Sequence, residues 1–368
     1  MSRRKDCLCL ISMPGAEAFA SSVDFYLKKW HETEMSFIID AECPRFLTGD
    51  AKGVLLESIR AKDIFIISDP YNCSVTYNIR GFENHMSPDD HYQNVKRMIS
   101  AINGKARRIS IMMNMLYGSR QHGRSMRESL DCAVSLRELE YSGLKNIITF
   151  DAHDPEVQNA VPLTSFDNLY PSYQMLKALL RSERGVNLSR ESTVVVSPDD
   201  GGVQRCIQFA KILGLEIGMF YKQRDTGAVV DGTAPIERHE YIGNDIAGRD
   251  VIVVDDILAA GDSILDSCVK LKNAGAKSLY AFITFGMFTK GYEEFDEAYK
   301  NGIFNKIFVT NLTFRPDEDV ERPYICSVDL SKYAAYVIDC IFHDIAISDV
   351  LDPETKIRQL MKSTGGMS

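Results

Sequence analysis

Short apolar runs alternate with amphipathic segments along most of the chain. Strand-like runs rich in Val, Ile, Leu, Phe and Met are predicted at residues 7–13, 37–40, 63–68, 108–115, 146–153, 193–200, 216–222, 250–256, 278–288 and 306–312. Segments with helical spacing of apolar positions are predicted at residues 17–30, 90–103, 127–143, 170–183, 203–214 and 263–276. Because fully apolar strands alternate with helices, the pattern indicates parallel sheets covered on both faces. We therefore predict an α/β fold of two doubly wound units of similar size.

The length of the chain favours two domains over a single core. With 368 residues, it exceeds the size at which one core usually stops growing. The boundary is predicted near 161–167, which gives an N-terminal domain of residues 1–164, a C-terminal domain of 165–345 and a tail of 346–368. The least regular stretch is 225–248, and a loop of that length in a compact domain is usually mobile and functional.

Composition narrows the class of protein. Hydrophobic residues make up 45% of the chain and the formal net charge is −9, which suits a globular protein and argues against binding of a nucleic-acid backbone. The nine cysteines are scattered without a CxxC pair, which fits a reducing cytosol. Neither a signal peptide nor an apolar run long enough for a membrane span is recognisable, so a cytoplasmic location is expected.

Two adjacent carboxylates close one of the most apolar strands. Asp255 and Asp256 follow DVIVV, and the small-residue loop Ala259–Ser263 leads from there into a helix. Ligands of doubly wound sheets bind at the carboxyl ends of strands, and a small loop at a helix N-terminus presents N–H groups to an anion. Carboxylates for sugar hydroxyls or a metal, next to a phosphate cradle, predict a sugar-phosphate site. The plainer interpretation, two solvated aspartates that cap a helix, fits this position less well.

The segment VIVVDDILAAGDS resembles the phosphoribosyl-diphosphate (PRPP) motif of type I phosphoribosyltransferase folds. Four further segments, in the same order as in the family, resemble ribose-phosphate pyrophosphokinases, also called PRPP synthetases: residues 45–67, 119–129, 150–158 and 194–205. The resemblance covers roughly residues 5–350. It implies two tandem type I phosphoribosyltransferase-like domains with mainly parallel sheets. It also implies transfer of the diphosphoryl group of ATP to the 1-hydroxyl of ribose 5-phosphate, which gives PRPP and AMP.

The resemblance also implies roles for individual residues. The ribose 5-phosphate site would comprise Asp255, Asp256, Ala259, Ala260, Gly261, Asp262 and Ser263. The ATP site would comprise Arg120 and Gln121, together with Thr48, Gly49 and Asp50, which in this family reach over from a neighbouring subunit. Lys222 and Arg224 would begin the catalytic loop, and His153 and Asp199 match the positions of a Mg²⁺ site. Mg²⁺ prefers oxygen ligands, so both a direct and an indirect contact of His153 stay open. Dimers or hexamers are expected.

Several positions depart from the family pattern. The usual 5-phosphate loop, Asp-Thr-x-Gly-Thr, is replaced by AAGDS, which adds the carboxylate of Asp262; we expect that carboxylate to cap the following helix and not to face a phosphate. His122 and Thr48 stand where the family usually has acidic residues, and residues 69–95 are longer than the family equivalent.

Two alternatives stay open. A catalytically silent regulatory subunit of the same family would explain the altered loop, but Lys222 and Arg224 argue against it. A phosphoribosyltransferase that consumes PRPP would share the double aspartate. The ATP-like segments 45–50 and 119–124 argue against that alternative.

Overall fold

The computed structural model describes residues 7–183, 185–224, 236–316, 322–348 and 353–363, without the side chains of 222–224, 236–239 and 363. Its strands are β1 (Leu8–Ser12), β2 (Ala41–Glu42), β3 (Val54–Leu55), β4 (Asp63–Ser68), β5 (Thr76–Ile79), β6 (Phe82–His85), β7 (Arg108–Met113), β8 (Asn146–Phe150), β9 (Ser165–Leu169), β10 (Thr193–Ser197), β11 (Glu216–Arg224), β12 (Ile236–Ile242), β13 (Asp250–Leu258), β14 (Ser278–Gly286), β15 (Lys306–Thr310) and β16 (Ile325–Val328). Its α-helices are α1 (Glu17–His31), α2 (Pro88–Ile102), α3 (Asp131–Tyr141), α4 (Ser172–Ser182), α5 (Val203–Leu213), α6 (Asp262–Asn273), α7 (Glu293–Lys300), α8 (Ser331–Phe342) and α9 (Glu354–Ser363), with a 3-10 helix at Pro155–Ala160.

The chain forms two compact units, and it crosses between them more than once. Unit 1 contains Met1–Pro171, Asn311–Phe314 and Asp329–Leu351. Unit 2 contains Ser172–Thr310, Arg315–Val328 and Asp352–Ser368. Each unit therefore contains segments that are distant in sequence.

Unit 1 has a five-stranded parallel sheet in the order β1-β4-β7-β8-β9. The segment around Ile38 lies along the other side of β1, where Ile38 forms a parallel bridge with Leu10. The chain therefore leaves β1 in one direction and later returns to add β4 on the opposite side. This reversal is the mark of a doubly wound sheet.

Two segments from the C-terminal half complete unit 1. The Asn114 side chain donates to the carbonyl oxygen of Leu312 at 2.9 Å. The Asp69 carboxylate accepts from the amide of Phe314 at 3.0 Å. Helix α8 packs on α1, with the Trp30 ring meeting that of Tyr336 edge to face at 6.2 Å.

Unit 2 has a seven-stranded sheet in the order β12-β11-β10-β13-β14-β15-β16. All neighbouring pairs are parallel except β11 and β12, which are antiparallel. Since β10 is followed by β11 on one side and β13 lies on its other side, the strand order reverses between β10 and β13. Two doubly wound sheets, one parallel and one parallel in all pairs but β11–β12, confirm the predicted fold class.

The structure divides the chain differently from the predicted boundaries. A cut at 164/165 would place β9 in the second domain, but β9 pairs with β8 along its whole length. Residues 329–345, predicted in the C-terminal domain, belong to unit 1. Residues 354–363 of the predicted tail form α9, which packs on α4 and α5 of unit 2.

The sequence also missed several local elements. Residues 37–40 form a single bridge to β1 and no regular strand, and α3 begins at Asp131, later than predicted. The stretch 225–248 contains β12; residues 225–235, where a mobile loop was predicted, lie outside the described residues. Among the described helices, none has both the length and the apolar character needed to cross a membrane.

Candidate active site

The double aspartate lies at the reversal point of the unit 2 sheet. Strand β13 pairs with β14 as far as Leu258, but its pairing with β10 ends at Val253. Asp255 and Asp256 therefore keep a strand conformation with no β10 partner beside them, next to the turn that follows β10. This is the position at which doubly wound sheets bind ligands.

The two aspartates have different environments. Asp256 is only 3% exposed and pairs with Arg205 of α5, whose Nη2 lies 3.3 Å from the Asp256 Oδ2. Asp255 is half-buried, and one of its oxygens accepts from the Asp256 amide at 3.0 Å. Because consecutive strand residues project to opposite faces, the two carboxylates are not equivalent. Asp256 is committed to an ion pair, which leaves Asp255 as the more accessible carboxylate.

Arg205 was not identified from the sequence. It stands in the first turn of α5, just after Gly201 and Gly202, and nothing local in the sequence marks it as a partner of a carboxylate 51 positions later. The only available signal was the rule that a buried carboxylate requires a cation.

Asp255 lies among other acidic groups. Burial, the neighbouring Asp256 and then Asp199 raise the pKa of the Asp255 carboxyl well above its ordinary value, and Arg205 opposes this. Asp199 is half-buried and positioned by its turn, in which its Oδ1 accepts from the Gly202 amide at 3.1 Å. A cluster of carboxylate oxygens whose mutual repulsion a cation would relieve suits a hard divalent ion.

The loop Ala259–Ser263 has open amides. Its carbonyls are used: Ala259 accepts from the Thr289 amide at 2.9 Å and Gly261 from the Leu265 amide at 3.0 Å. Within the described part of the chain, the amides of residues 259–262 have no acceptor. Unpaired N–H groups at the N-terminus of α6 match the predicted anion cradle.

Gly261 and Asp262 define the end of this loop. Gly261 has a φ of 101°, and a Cβ there would lie 2.3 Å from the Phe295 ring. Asp262 is exposed and makes no cap hydrogen bond to α6; instead, Lys290 Nζ lies 3.0 Å from both of its carboxylate oxygens. The expectation that Asp262 caps the helix is therefore wrong. Lys290 balances its charge.

The predicted catalytic pair lies on a ribbon that extends past the sheet. Strand β11 last pairs with β10 at Met219 but continues to Arg224 with β12 as its partner. Lys222 is paired with His239 and Arg224 with Ile236 in this ribbon. Both residues thus stand beyond the carboxyl end of β10.

In unit 1, the predicted adenosine-contacting loop is a tight turn. The Phe46 amide donates to the Asp50 carbonyl at 2.7 Å, and the Gly49 amide donates to the Phe46 carbonyl at 2.9 Å. The Thr48 hydroxyl donates to the Asp50 carboxylate at 2.9 Å. Gly49 has a φ of 97°, a conformation that favours glycine.

Arg45 contacts both this turn and the segment 69–95 of unit 1. Its guanidinium donates to the Gly49 carbonyl at 2.9 Å and to Asp90 at 3.0 Å, and it lies 4.1 Å from the centre of the Tyr77 ring. Tyr77 belongs to the β5–β6 hairpin, whose two-residue turn has positive φ at both positions, as primed hairpin turns require. Residues 69–95, which were expected to be longer than the family equivalent, thus contain a hairpin packed on the predicted ATP loop.

The contacts of Arg45 with Tyr77 and Asp90 form what we call the hairpin anchor. Asp90 connects this anchor to α2. It forms a capping box with Ser87, in which each side chain accepts from the other's amide. Although partial burial opposes it, hydrogen bonds from Ser87 and Arg45 hold the pKa of Asp90 below its usual value. The carboxylate is therefore charged at neutral pH and can fix Arg45.

The remaining predicted residues of unit 1 follow β7 and β8, which are adjacent strands. Arg120 and Gln121 are exposed on the segment after β7. His122 lies 2.8 Å from Asp154, nitrogen to oxygen, and its ring is 5.4 Å from that of His153. The histidine that replaces the family's usual acidic residue thus contacts the segment of the predicted metal-site histidine.

Two sequence profiles match successive parts of the chain. Residues 8–143 match the N-terminal domain of ribose phosphate pyrophosphokinase, and residues 165–318 match the phosphoribosyl transferase domain. The chain belongs to the ribose-phosphate pyrophosphokinase family. The resemblance found in the sequence motifs is confirmed.

Individual relatives agree with this assignment. A ribose-phosphate pyrophosphokinase of Vibrio cholerae is 29% identical over 315 residues, which cover 84% of this chain and 90% of the relative. One from Thermotoga maritima is 26% identical and covers 75% of this chain and 79% of its own length. The crystal structure of phosphoribosylpyrophosphate synthetase from Mycobacterium smegmatis is 21% identical and has a TM-score of 0.72, with 92% of this chain and 99% of that chain covered. That structure supports the fold of this pyrophosphokinase-family chain.

Replacement of Arg205 by methionine is expected to destabilise the protein. It would leave Asp256 buried without its cation, a change that typically costs about 3–5 kcal/mol. The free energy of unfolding in urea at pH 7 measures the loss. Arg190→Met is the matched control, because the Arg190 side chain is 71% exposed in its pair with Glu216 and should contribute less than about 1 kcal/mol. Equal stability of the two variants would contradict the role of the buried pair.

Proposed function

We propose that this chain is a ribose-phosphate diphosphokinase, which makes PRPP and AMP from ATP and ribose 5-phosphate. One observation carries the proposal: a partly exposed carboxylate, Asp255, stands at the sheet reversal point of unit 2, on the strand that leads into a loop with four open amides. The family membership supports the same reaction. Since the regulatory alternative rests only on the altered loop and that loop keeps its open amides, the enzymatic reading is favoured.

Ribose 5-phosphate would bind along the carboxyl end of β13. The amides of 259–262 and the N-terminus of α6 would hold the 5-phosphate, with the Ser263 hydroxyl as a further donor. Asp255 would accept hydrogen bonds from the ribose hydroxyls. Asp256 would contribute indirectly, because its ion pair with Arg205 holds the end of β13 in place.

The diphosphoryl transfer requires positioning and charge compensation more than covalent chemistry. The 1-hydroxyl oxygen attacks the β-phosphorus of ATP and its proton passes to water, the bond from that phosphorus to the oxygen bridging to the α-phosphate breaks, and AMP leaves. Arg120 and Gln121, with Thr48, Gly49 and Asp50, would hold ATP. Lys222 and Arg224 would stabilise the charge on the transferred group.

Mg²⁺ is the cofactor we infer. When bound, it would neutralise phosphate charge and orient the diphosphate. The oxygen-rich surroundings of Asp199 suit this ion, and His153 would contribute directly or through water. We also infer a homo-oligomer, as is usual in the family. The nine cysteines carry no disulfide, which supports a cytoplasmic location.

A coupled assay tests the proposed reaction. Wild-type protein with ATP, Mg²⁺ and ribose 5-phosphate should form AMP and PRPP in equal amounts, and AMP should not appear without ribose 5-phosphate. Lys222→Ala should lose about 10²-fold or more in kcat, as when other charge-stabilising groups are removed. Lys211→Ala, an exposed lysine on α5, is the control. A wild type that binds ribose 5-phosphate without forming either product would instead indicate a regulatory subunit.

Loss of the hairpin anchor should weaken ATP binding and leave ribose 5-phosphate binding unchanged. Tyr77→Ala removes the ring beneath Arg45, a cation–π contact worth about 0.5–2 kcal/mol. We expect the KM for ATP to rise about three- to tenfold with kcat and the KM for ribose 5-phosphate nearly unchanged. Phe82→Ala is the control, since Phe82 is an aromatic residue of the same hairpin that is 75% exposed. If Tyr77→Ala and Phe82→Ala behave alike, the anchor does not position the nucleotide loop.

The phosphate loop should not tolerate a side chain at Gly261. In Gly261→Ala, both the positive φ and the Phe295 ring oppose the new Cβ, so the loop amides must move. The KM for ribose 5-phosphate should rise at least tenfold. Gly302→Ala controls for backbone strain alone, because Gly302 has a φ of 68° and nothing within 4 Å of a Cβ. An unchanged KM in Gly261→Ala would remove the loop from the binding site.

A further inference from the structure

A cluster of metal-binding side chains lies in unit 1 among residues that the proposed reaction does not use. His31 is the last residue of α1, and Asp339 and His343 stand one helical turn apart at the end of α8. The His31 Nε2 lies 2.7 Å from the Asp339 Oδ1, and the His343 Nε2 lies 3.5 Å from the same oxygen. One carboxylate oxygen thus faces two imidazole nitrogens.

The geometry is close to that of a bound transition metal. One ligand atom from each residue lies within 4.8 Å of the other two. Tetrahedral zinc with bonds of about 2.0–2.2 Å places neighbouring ligand atoms roughly 3.4 Å apart. The distance between His343 and Asp339 already has this value, and the pair of His31 and Asp339 would need to open by less than about 1 Å.

The surroundings hold the ligands and leave access for an ion. The His31 ring is packed edge to face on Phe37 at 5.3 Å and stacks with the His343 ring at 5.6 Å with an interplanar angle of 13°. The side chains of Asp339 and His343 are 22% and 28% exposed, whereas that of His31 is 7% exposed. The cluster therefore has a fixed inner ligand and an open outer side, where water could complete the coordination.

We propose that His31, Asp339 and His343 bind one Zn²⁺ ion, which joins the end of α1 to the end of α8. Two imidazoles and one carboxylate suit a borderline transition metal, whereas Mg²⁺ prefers an all-oxygen environment. His31 and Asp339 are 308 positions apart. Because such a site exists only in the folded chain, the ion would stabilise unit 1 and its returning C-terminal helix.

Metal titration of the full-length, chelator-treated protein tests the proposal. Zn²⁺ binding is measured by calorimetry in excess Mg²⁺, which occupies oxygen-rich sites, and Co²⁺ is used as a spectroscopic substitute. The expected result is one high-affinity ion per chain, visible d–d absorption with Co²⁺, and a higher Tm with Zn²⁺.

Variants locate the ion. His343→Asn alters a half-exposed side chain and should weaken binding at least tenfold and remove the Zn²⁺-dependent rise in Tm. Asp339→Asn keeps the possibility of a hydrogen bond to His31 but removes the anionic ligand, so it should also lose the ion. His85→Asn, on the β5–β6 hairpin, and His122→Asn, beside His153, should bind as the wild type does.

Three outcomes would overturn the proposal. They are absence of Zn²⁺ binding by the wild type, unchanged affinity in both His343→Asn and Asp339→Asn, or loss of binding in His122→Asn alone. The first would mean that the three side chains form only a hydrogen-bonded cluster. The last would assign the ion to the His122 and His153 pair.

Discussion

Burial of the central strands on both faces limits the positions at which polar and charged side chains can lie in this protein. All six residues of β4 are buried, and so are the first five of β13. The charged residue of β4, Asp63, stands at the first position of the strand and is paired with Arg107 and Arg108. The predicted site residues Asp255, Asp199 and His153 lie near the ends of β13, β10 and β8 or in the segments that follow them. The proposed sugar-phosphate site lies where this constraint and the reversal of strand order coincide.

The sequence was informative where one property of a residue sufficed. Continuous apolar runs located the central strands, and helical spacing located α1, α2, α5 and α6 within a few residues. The edge strands β9 and β16 were not predicted because they are short and mixed in polarity, as SFDNL and ICSV illustrate. The β5–β6 hairpin escaped for a similar reason, since it is exposed on much of its surface and lacks an apolar run.

At the candidate site, the residue types could be predicted from the sequence, whereas their partners are visible only in the structure. The double aspartate and the small-residue loop stood out by position alone. The different environments of Asp255 and Asp256 could not be predicted, because they depend on Arg205, which contacts β13 from helix α5. Likewise, the charge of Asp262 is balanced by Lys290, a contact that no local rule of helix capping contains. The His31, Asp339 and His343 cluster joins opposite ends of the chain and leaves no spacing signature.

The path of the chain has a consequence for its synthesis. Unit 1 is not complete at Pro171, because α8 ends at Phe342 and packs on α1. Ribosomes add roughly 5–20 residues per second, so the 171 residues from 172 to 342 require about 9–34 s. Throughout that interval, the side of α1 that carries Trp30 is not covered by α8, because unit 2 is still emerging from the ribosome. The nascent N-terminal half must therefore persist as an unfinished intermediate, and it is at this stage that a chaperone would find apolar surface to hold.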